Sequence, residues 1–256
     1  WNLAGLSGHE GGLALRAAGN LTVLGHISDG FSSADRSGAL LDQASWDIRL
    51  VSGADFGSAN PLAVRPIAAL AAGSGSLIVG DTANGYQIRT GTGDLSIAVG
   101  RDLTLAQHES VIYTAGRMDT TTFPDFVQLA SQTPVYGVGG GNLSIAAQGT
   151  VKAVIPYGQG QLFTSWLKRQ GDAGATGEFA PWFDWDVTFT GGAGQQSAWW
   201  VDYSGFHGVG ALCGGNVNLS SGRDLVDLTV VMPTNARVLG GRTIDEAKTL
   251  EMRNGG

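Results

Sequence analysis

The stretch Trp182-Phe183-Asp184-Trp185-Asp186 carries the residue types most able to meet a ligand, with Trp199 and Trp200 a short way downstream. Indole rings framing carboxylates suit stacking on a sugar ring or anchoring a protein surface. On a strand, Asp184 and Asp186 share one face. There they could ligate a hard cation or act as paired acids on a glycosidic bond. Two acids at this spacing are a weak signal for catalysis, and aromatic residues more commonly pack a core than stand exposed. Trp182, Asp184, Trp185, Asp186, Trp199 and Trp200 are therefore candidate contacts for a ligand or partner, and no residue is assigned a catalytic role.

Other chemistries find little support. The four histidines, His9, His26, His108 and His207, are scattered without metal-ligand spacing, so no metal and no cofactor are expected. Gly73-Ser74-Gly75-Ser76 misses the nucleophile-elbow pattern. The glycine run 137–141 leads into a strand pattern rather than the helix a phosphate loop needs. Cys213 is the single cysteine, which excludes an intramolecular disulfide and reads as a small buried apolar side chain. Sequons begin at Asn20, Asn142 and Asn218. The first two coincide with a corner phrase that calls for Asn anyway, so glycosylation is the lesser reading. A net charge of −7 without a basic cluster argues against nucleic acid, and no run of residues is long and apolar enough to span a bilayer.

The elements that must position these residues are repeats. Gly93-Asp94-Leu95-Ser96-Ile97-Ala98-Val99 alternates apolar and small polar residues, the pattern of a strand with one buried face. Gly100-Arg101-Asp102 turns a corner, and Leu103-Thr104-Leu105 opens a second strand. Gly141-Asn142-Leu143-Ser144-Ile145 and Gly215-Asn216-Val217-Asn218-Leu219 repeat the phrase, with weaker copies near Leu13 and Ile48. Connections of two or three residues leave no room for crossover helices. Gly, Asn and Asp suit the corners because they tolerate left-handed backbone or bond it locally.

These facts predict an all-β parallel β-helix, a solenoid in which Leu95 stacks on Leu143 and Val217 and Ile97 on Ile145 and Leu219. Coils of about 20 residues would give roughly eight to ten turns, since solenoid repeats run from about 20 to 45 residues. Residues 1–155 read as β-helix coils with side loops. Residues 156–206 hold five of the seven tryptophans and lose the repeat, so they read as one large aromatic-rich insertion packed on the solenoid flank. Within it, 162–170 reads as a short amphipathic helix and 185–190 as a strand. Residues 207–256 read as further coils that continue beyond the fragment. At 249–252 a last strand competes with a helix opened by Thr243, Asp245 and Glu246. Residues 120–134, with Phe123, Phe126 and Leu129, read as a loop docking on the solenoid side.

The phrases around Trp46-Asp47-Ile48-Arg49-Leu50, Ile88-Arg89-Thr90-Gly91, Ile112-Tyr113-Thr114-Ala115-Gly116 and Val231-Met232-Pro233-Thr234 resemble the filamentous haemagglutinin-like exoproteins of proteobacteria. More narrowly, they resemble an uncharacterised domain of the large members, from Trp46 to the end. The resemblance implies a right-handed β-helix and export of the full-length chain through an outer-membrane two-partner secretion transporter. It also implies a place at the surface of a Gram-negative cell or in a biofilm matrix, and adhesive or scaffolding work. The scarcity of Cys fits passage of an unfolded chain. The reading that follows is a rigid stalk displaying side loops to polysaccharide, host or matrix surface. Its rivals are a β-helix polysaccharide lyase or hydrolase using acids with Lys168 and Arg169, and a subunit that self-associates laterally or end to end.

Overall fold

The computed structural model describes residues 1–4, 11–120, 135–154, 167–170, 179–181, 199–239 and 249–254. Short strands alternate with Gly- and Asx-bearing corners, and the chain visits three parallel sheets in rotation. Gly12–Ala17 (β1), Leu21–Val23 (β2) and Ile27–Ser28 (β3) each open one sheet. Asp47–Ser52 (β4), Leu77–Val79 (β5) and Gln87–Thr90 (β6) add a second strand to each, in the same order. Leu95–Val99 (β7), Leu103–Leu105 (β8) and Val111–Thr114 (β9) add a third. A small antiparallel pair, Arg117–Met118 (β10) with Gly137–Val138 (β11), precedes Leu143–Ala147 (β12) and Val151–Lys152 (β13). Leu167–Gln170 (β14), Phe179–Pro181 (β15) and Trp199–Val201 (β16) then leave the rotation, and Gly208–Ala211 (β17) rejoins the third sheet. Val217–Ser221 (β18), Leu225–Val226 (β19) and Val230–Val231 (β20) complete three five-stranded sheets.

Register follows the repeat phrase. Leu13, Ile48, Leu95, Leu143 and Val217 are successive partners across the first sheet, and Leu15, Leu50, Ile97, Ile145 and Leu219 form a second row. The inward rows of all three sheets merge into one aliphatic core, in which Ile48, Leu50, Leu77, Ile88, Leu95, Leu103 and Ile112 are fully buried. Each such side chain contributes about 1.5–3 kcal/mol relative to exposure.

The corners are stapled along the stack by side chains. Asp47 Oδ1 accepts the Asp94 amide at 2.9 Å, Asp94 Oδ1 accepts the Asn142 amide at 2.8 Å, and Asn142 Oδ1 accepts the Asn216 amide at 3.0 Å. The amide groups of Asn142 and Asn216 reinforce the column at 3.1 Å each. At the next corner Asn20 Oδ1 takes the Ser76 amide and Asp102 Oδ1 the Thr150 amide. Asn142 and Asn20 are thus committed to holding adjacent rungs, which accounts for two of the sequons.

Among the described residues each of the three parallel sheets has five rungs, where the repeat length suggests eight to ten turns. Much of the chain is spent on excursions between strands, so successive partners lie far apart in sequence, as Ile112 and Val209 do. Leu167–Gln170, expected at the end of a helix, is a strand. Lys168 and Arg169 pair antiparallel with Pro181 and Ala180 on one side and with Trp200 and Trp199 on the other. The tail departs from the parallel arrangement after Val231: Asn235–Leu239 (β21) and Thr249–Arg253 (β22) join β14, β15 and β16 in a five-stranded antiparallel sheet. At 249–252 the strand alternative is the one observed; Thr243, Asp245 and Glu246 lie outside the described residues, as do 121–134 and the 185–190 segment. Among the described residues there is no α-helix; a 3-10 turn spans Ile67–Ala69.

Candidate functional site

The outer face of the third sheet gathers the polar and aromatic residues. Because Ile27, Ile88, Ile112 and Val209 point into the aliphatic core, Ser28, Arg89 and Tyr113 point the other way. That face is covered by residues 29–46 and by the stretch that enters and leaves β17. Phe31, Leu40, Tyr113, Val201, Tyr203, Phe206, Leu212 and Cys213 form one buried cluster there. Tyr113 stacks on Tyr203 at 6.2 Å and meets Phe206 edge-on at 5.4 Å.

Arg89 lies fully buried at the centre of this cover. Its Nε donates to Ser28 Oγ at 2.9 Å, one terminal nitrogen to Tyr113 Oη at 2.9 Å, and the other to the carbonyls of Ser33 and Asp35 at 2.9 and 2.6 Å. Its guanidinium also lies over Phe31. Arg36 reaches across to donate to the carbonyls of Ser204 and Phe206 at 2.7 and 3.0 Å. Two arginines thereby tie the 29–46 excursion to the third sheet and to the approach to β17. Hydroxyl bonds from Ser37 and Ser33, with the Ser37 amide, hold the Asp35 carboxyl down to about 2.

Nothing here is a poised nucleophile. Burial pushes the Cys213 thiol up to about 11, and its Sγ lies 2.9 Å from Tyr203 Oη. Burial likewise raises Tyr113, and raises Tyr203 further with Cys213 beside it. Two buried amide groups are incompletely satisfied: both side-chain atoms of Gln87, and Asn235 Oδ1. A histidine pair borders the cluster. His207 Nδ1 donates to the His108 carbonyl at 2.7 Å, the rings lie 5.6 Å apart, and His108 Nε2 sits 2.7 Å from Glu109 Oε1. No group of three or more His, Cys, Asp or Glu is disposed to hold a metal among the described residues. A separate apolar cavity of about 650 Å³ opens at the first rung, lined by Trp1, Leu15, Leu21, Val23, His26 and Ile27 among others.

Of the six candidate contacts, Trp182, Asp184, Trp185 and Asp186 lie outside the described residues. Trp199 sits in β16 opposite Arg169 and Ala236. Trp200, its neighbour, is buried, as are Tyr203 and Phe206, so these three rings serve packing rather than display. Arg89, Arg36 and the histidine pair were not singled out from sequence. A lone arginine in a period-two strand reads as solvent-facing, and the histidines are 99 residues apart. Searches against family models, curated proteins and solved structures return no match to this chain.

Proposed function

We propose that this chain is a right-handed parallel β-helix section of a secreted bacterial surface or biofilm-matrix fibre, a stiff spacer that presents side excursions to polysaccharide, host or matrix surfaces. The observation that carries the reading is the in-register column Leu13–Ile48–Leu95–Leu143–Val217, continued by the Asp47–Asp94–Asn142–Asn216 staple. Such an array gives length with a fixed cross-section, and stability that adds rung by rung. The right hand follows from the strong preference of crossover connections between parallel strands of one sheet. A surface poor in charge, 14% of residues, and a single buried cysteine suit export and extracellular work. In this reading the full-length chain leaves the cell through an outer-membrane two-partner transporter.

The test is to present the purified chain to a panel of polysaccharides and matrix glycoproteins, recording binding and release of reducing ends together. Saturable binding without cleavage is expected. New reducing ends or unsaturated sugars, lost in Asp184→Asn or Asp186→Asn, would replace the stalk with a lyase or hydrolase.

A second reading, end-to-end association of copies, is favoured by the outermost rungs. Leu225 and Val230, in core register, are 54% and 45% exposed on the last rung, and the first rung is recessed around the apolar cavity. Sedimentation velocity that remains monomeric across a hundredfold concentration range would remove it.

A further inference from the structure

Two Asn–Gly pairs occur in the chain, Asn84–Gly85 and Asn254–Gly255. A glycine after asparagine leaves its backbone nitrogen unshielded. That nitrogen can reach the side-chain carbonyl carbon of the asparagine and close a five-membered ring. Whether it does so depends on how firmly the structure holds the amide that must leave and the backbone that must turn. The two pairs differ in this.

Asn84 stands exposed in the corner between β5 and β6. The corner is built on Asp81, whose Oδ1 accepts the Ala83 amide at 2.7 Å and the Asn84 amide at 2.8 Å. Those bonds fix the backbone ahead of the reacting centre. Beyond it, the Asp81 amide donates to the Asn84 carbonyl at 3.0 Å. Among the described residues the Gly85 amide donates to no acceptor, and Asn84 Nδ2 meets only Asp81 Oδ1, at 3.4 Å. One exposed hydrogen bond at the Asn84 carbonyl therefore resists the turn, and a bond of that kind holds it shut by no more than about tenfold. Asn254 is held more firmly. Its Nδ2 donates to the Gly137 carbonyl at 2.7 Å in a partly buried contact, and its backbone is left-handed, at φ 67°. Gly85, for its part, is dictated by packing. A Cβ there would lie 2.6 Å from Glu109 Cβ and 2.7 Å from the Ser110 nitrogen, in the corner before β9. The fold thus demands the residue that exposes Asn84 to attack.

We propose that Asn84 is a self-modification site, converted through a succinimide in the folded chain while Asn254 is spared. The Gly85 nitrogen gives its proton to solvent and bonds to Asn84 Cγ. The Cγ–Nδ2 bond breaks, and the side-chain nitrogen takes a proton from water and leaves as ammonia. Water then adds to one of the two ring carbonyls and opens the ring, leaving an aspartyl or an isoaspartyl residue. Either product places a carboxylate near that of Asp81. The isoaspartyl form also inserts one carbon into the backbone ahead of β6, which takes the carbonyl out of register with the Asp81 amide. The corner loosens with time, while the aliphatic core beneath it stays paired.

Incubation of the whole chain at 37 °C and pH 8, folded and in denaturant, tests the site. Peptides holding residues 84 and 254 are followed by mass spectrometry for the gain of one mass unit, with electron-transfer fragmentation to separate isoaspartyl from aspartyl products. In denaturant the two asparagines should convert at similar rates. In the folded chain Asn84 should convert within about tenfold of its denatured rate, several-fold ahead of Asn254, and yield both products. Conversion slower than that, or level with or behind Asn254, would overturn the proposal. So would a purely aspartyl product, because direct hydrolysis of the side chain gives that alone. Gly85→Ala would disturb the corner, so Asn84→Gln, whose ring would need six members, is the control. It should fold and gain no mass at this position over the same period; gain at the wild-type rate would also overturn the proposal.

Discussion

The guanidinium carbon of Arg89 lies 3.7 Å above the centroid of the Phe31 ring, and both side chains are fully buried. A buried cation is costly unless its donors are all engaged, and here the partners are two hydroxyls, two carbonyls and a ring face, none of them a carboxylate. Arg89→Met keeps most of the volume but takes the guanidinium from Ser28 Oγ, Tyr113 Oη and the Ser33 carbonyl, while the Asp35 carbonyl keeps the Gly38 amide. It should cost about 1–3 kcal/mol, the penalty for stranding buried polar groups. Arg89→Ala should cost about 3–5 kcal/mol by adding a cavity. Urea midpoints in the order wild type, Met, Ala are expected, and Arg89→Lys should fall near Met because an ammonium cannot fork to the same partners.

Arg89 also marks where sequence reasoning stops. The column Leu95–Leu143–Val217 was legible because one phrase recurs with period-two alternation, so equivalent positions could be aligned by eye. The outward face of the same strands carries no such pattern. Whether Arg89 meets water or Phe31 depends on a 29–46 excursion whose path no local propensity dictates. Similarly, Leu167–Gln170 is composed of good helix formers, and pairing with 179–181 and 199–201 overrides that preference. Trp200 could be named as part of an aromatic cluster, but its direction could not.

The Asx column predicts a charge-specific defect. Asn142 Nδ2 lies 3.1 Å from Asp94 Oδ1, so Asn142→Asp replaces an attractive contact with two facing carboxylates. A loss of about 1 kcal/mol is expected at low salt, shrinking as ionic strength rises, because both groups are exposed. Asp94→Asn, which keeps an acceptor, should lie near wild type. Thermal melts at two salt concentrations distinguish these outcomes.

Close approach of rungs predicts where a single methyl is intolerable. A Cβ on Gly141 would sit 1.9 Å from the Gly93 carbonyl oxygen, whereas one on Gly25 would meet nothing within 4 Å. Gly141→Ala should therefore destabilise by about 1–3 kcal/mol or more through forced backbone separation. Gly25→Ala should be neutral within about 0.5 kcal/mol, as for a substitution touching nothing. Equal denaturant midpoints for the two variants would contradict the rung spacing.

Cys213 should be inert while the chain is folded. With the thiol pushed up to about 11 from 9.0, its thiolate fraction at pH 8 is lower by about a hundredfold than that of an unperturbed cysteine. Burial beneath Tyr203 and Asn235 blocks access as well. Labelling with a thiol reagent at pH 8 should be negligible in buffer and complete in denaturant. Labelling at an unfolded rate in buffer would place Cys213 outside the cluster.

Gln148 acts as a substitute peptide group for the excursion at residues 65–67, just past the isolated antiparallel bridge between Ala54 and Val64. Its Oε1 accepts the Ile67 amide at 2.8 Å and its Nε2 donates to the Arg65 carbonyl at 2.8 Å, tying residues 65–67 to the corner after β12. Leu70, buried, pins the same excursion against the glycines of neighbouring corners. Because Leu70 supplies the apolar anchor, removing the amide should loosen the excursion without unfolding the sheets. Gln148→Ala should speed exchange of the Ile67 amide by about tenfold, the equivalent of one hydrogen bond of about 1.4 kcal/mol. Gln148→Glu keeps the acceptor but turns a carboxylate oxygen toward the Arg65 carbonyl, so Ile67 should stay protected while residues around Arg65 exchange faster. The opposite pattern, with Ile67 exposed in both variants, would mean that the acceptor bond depends on the donor bond and that the two act as one unit.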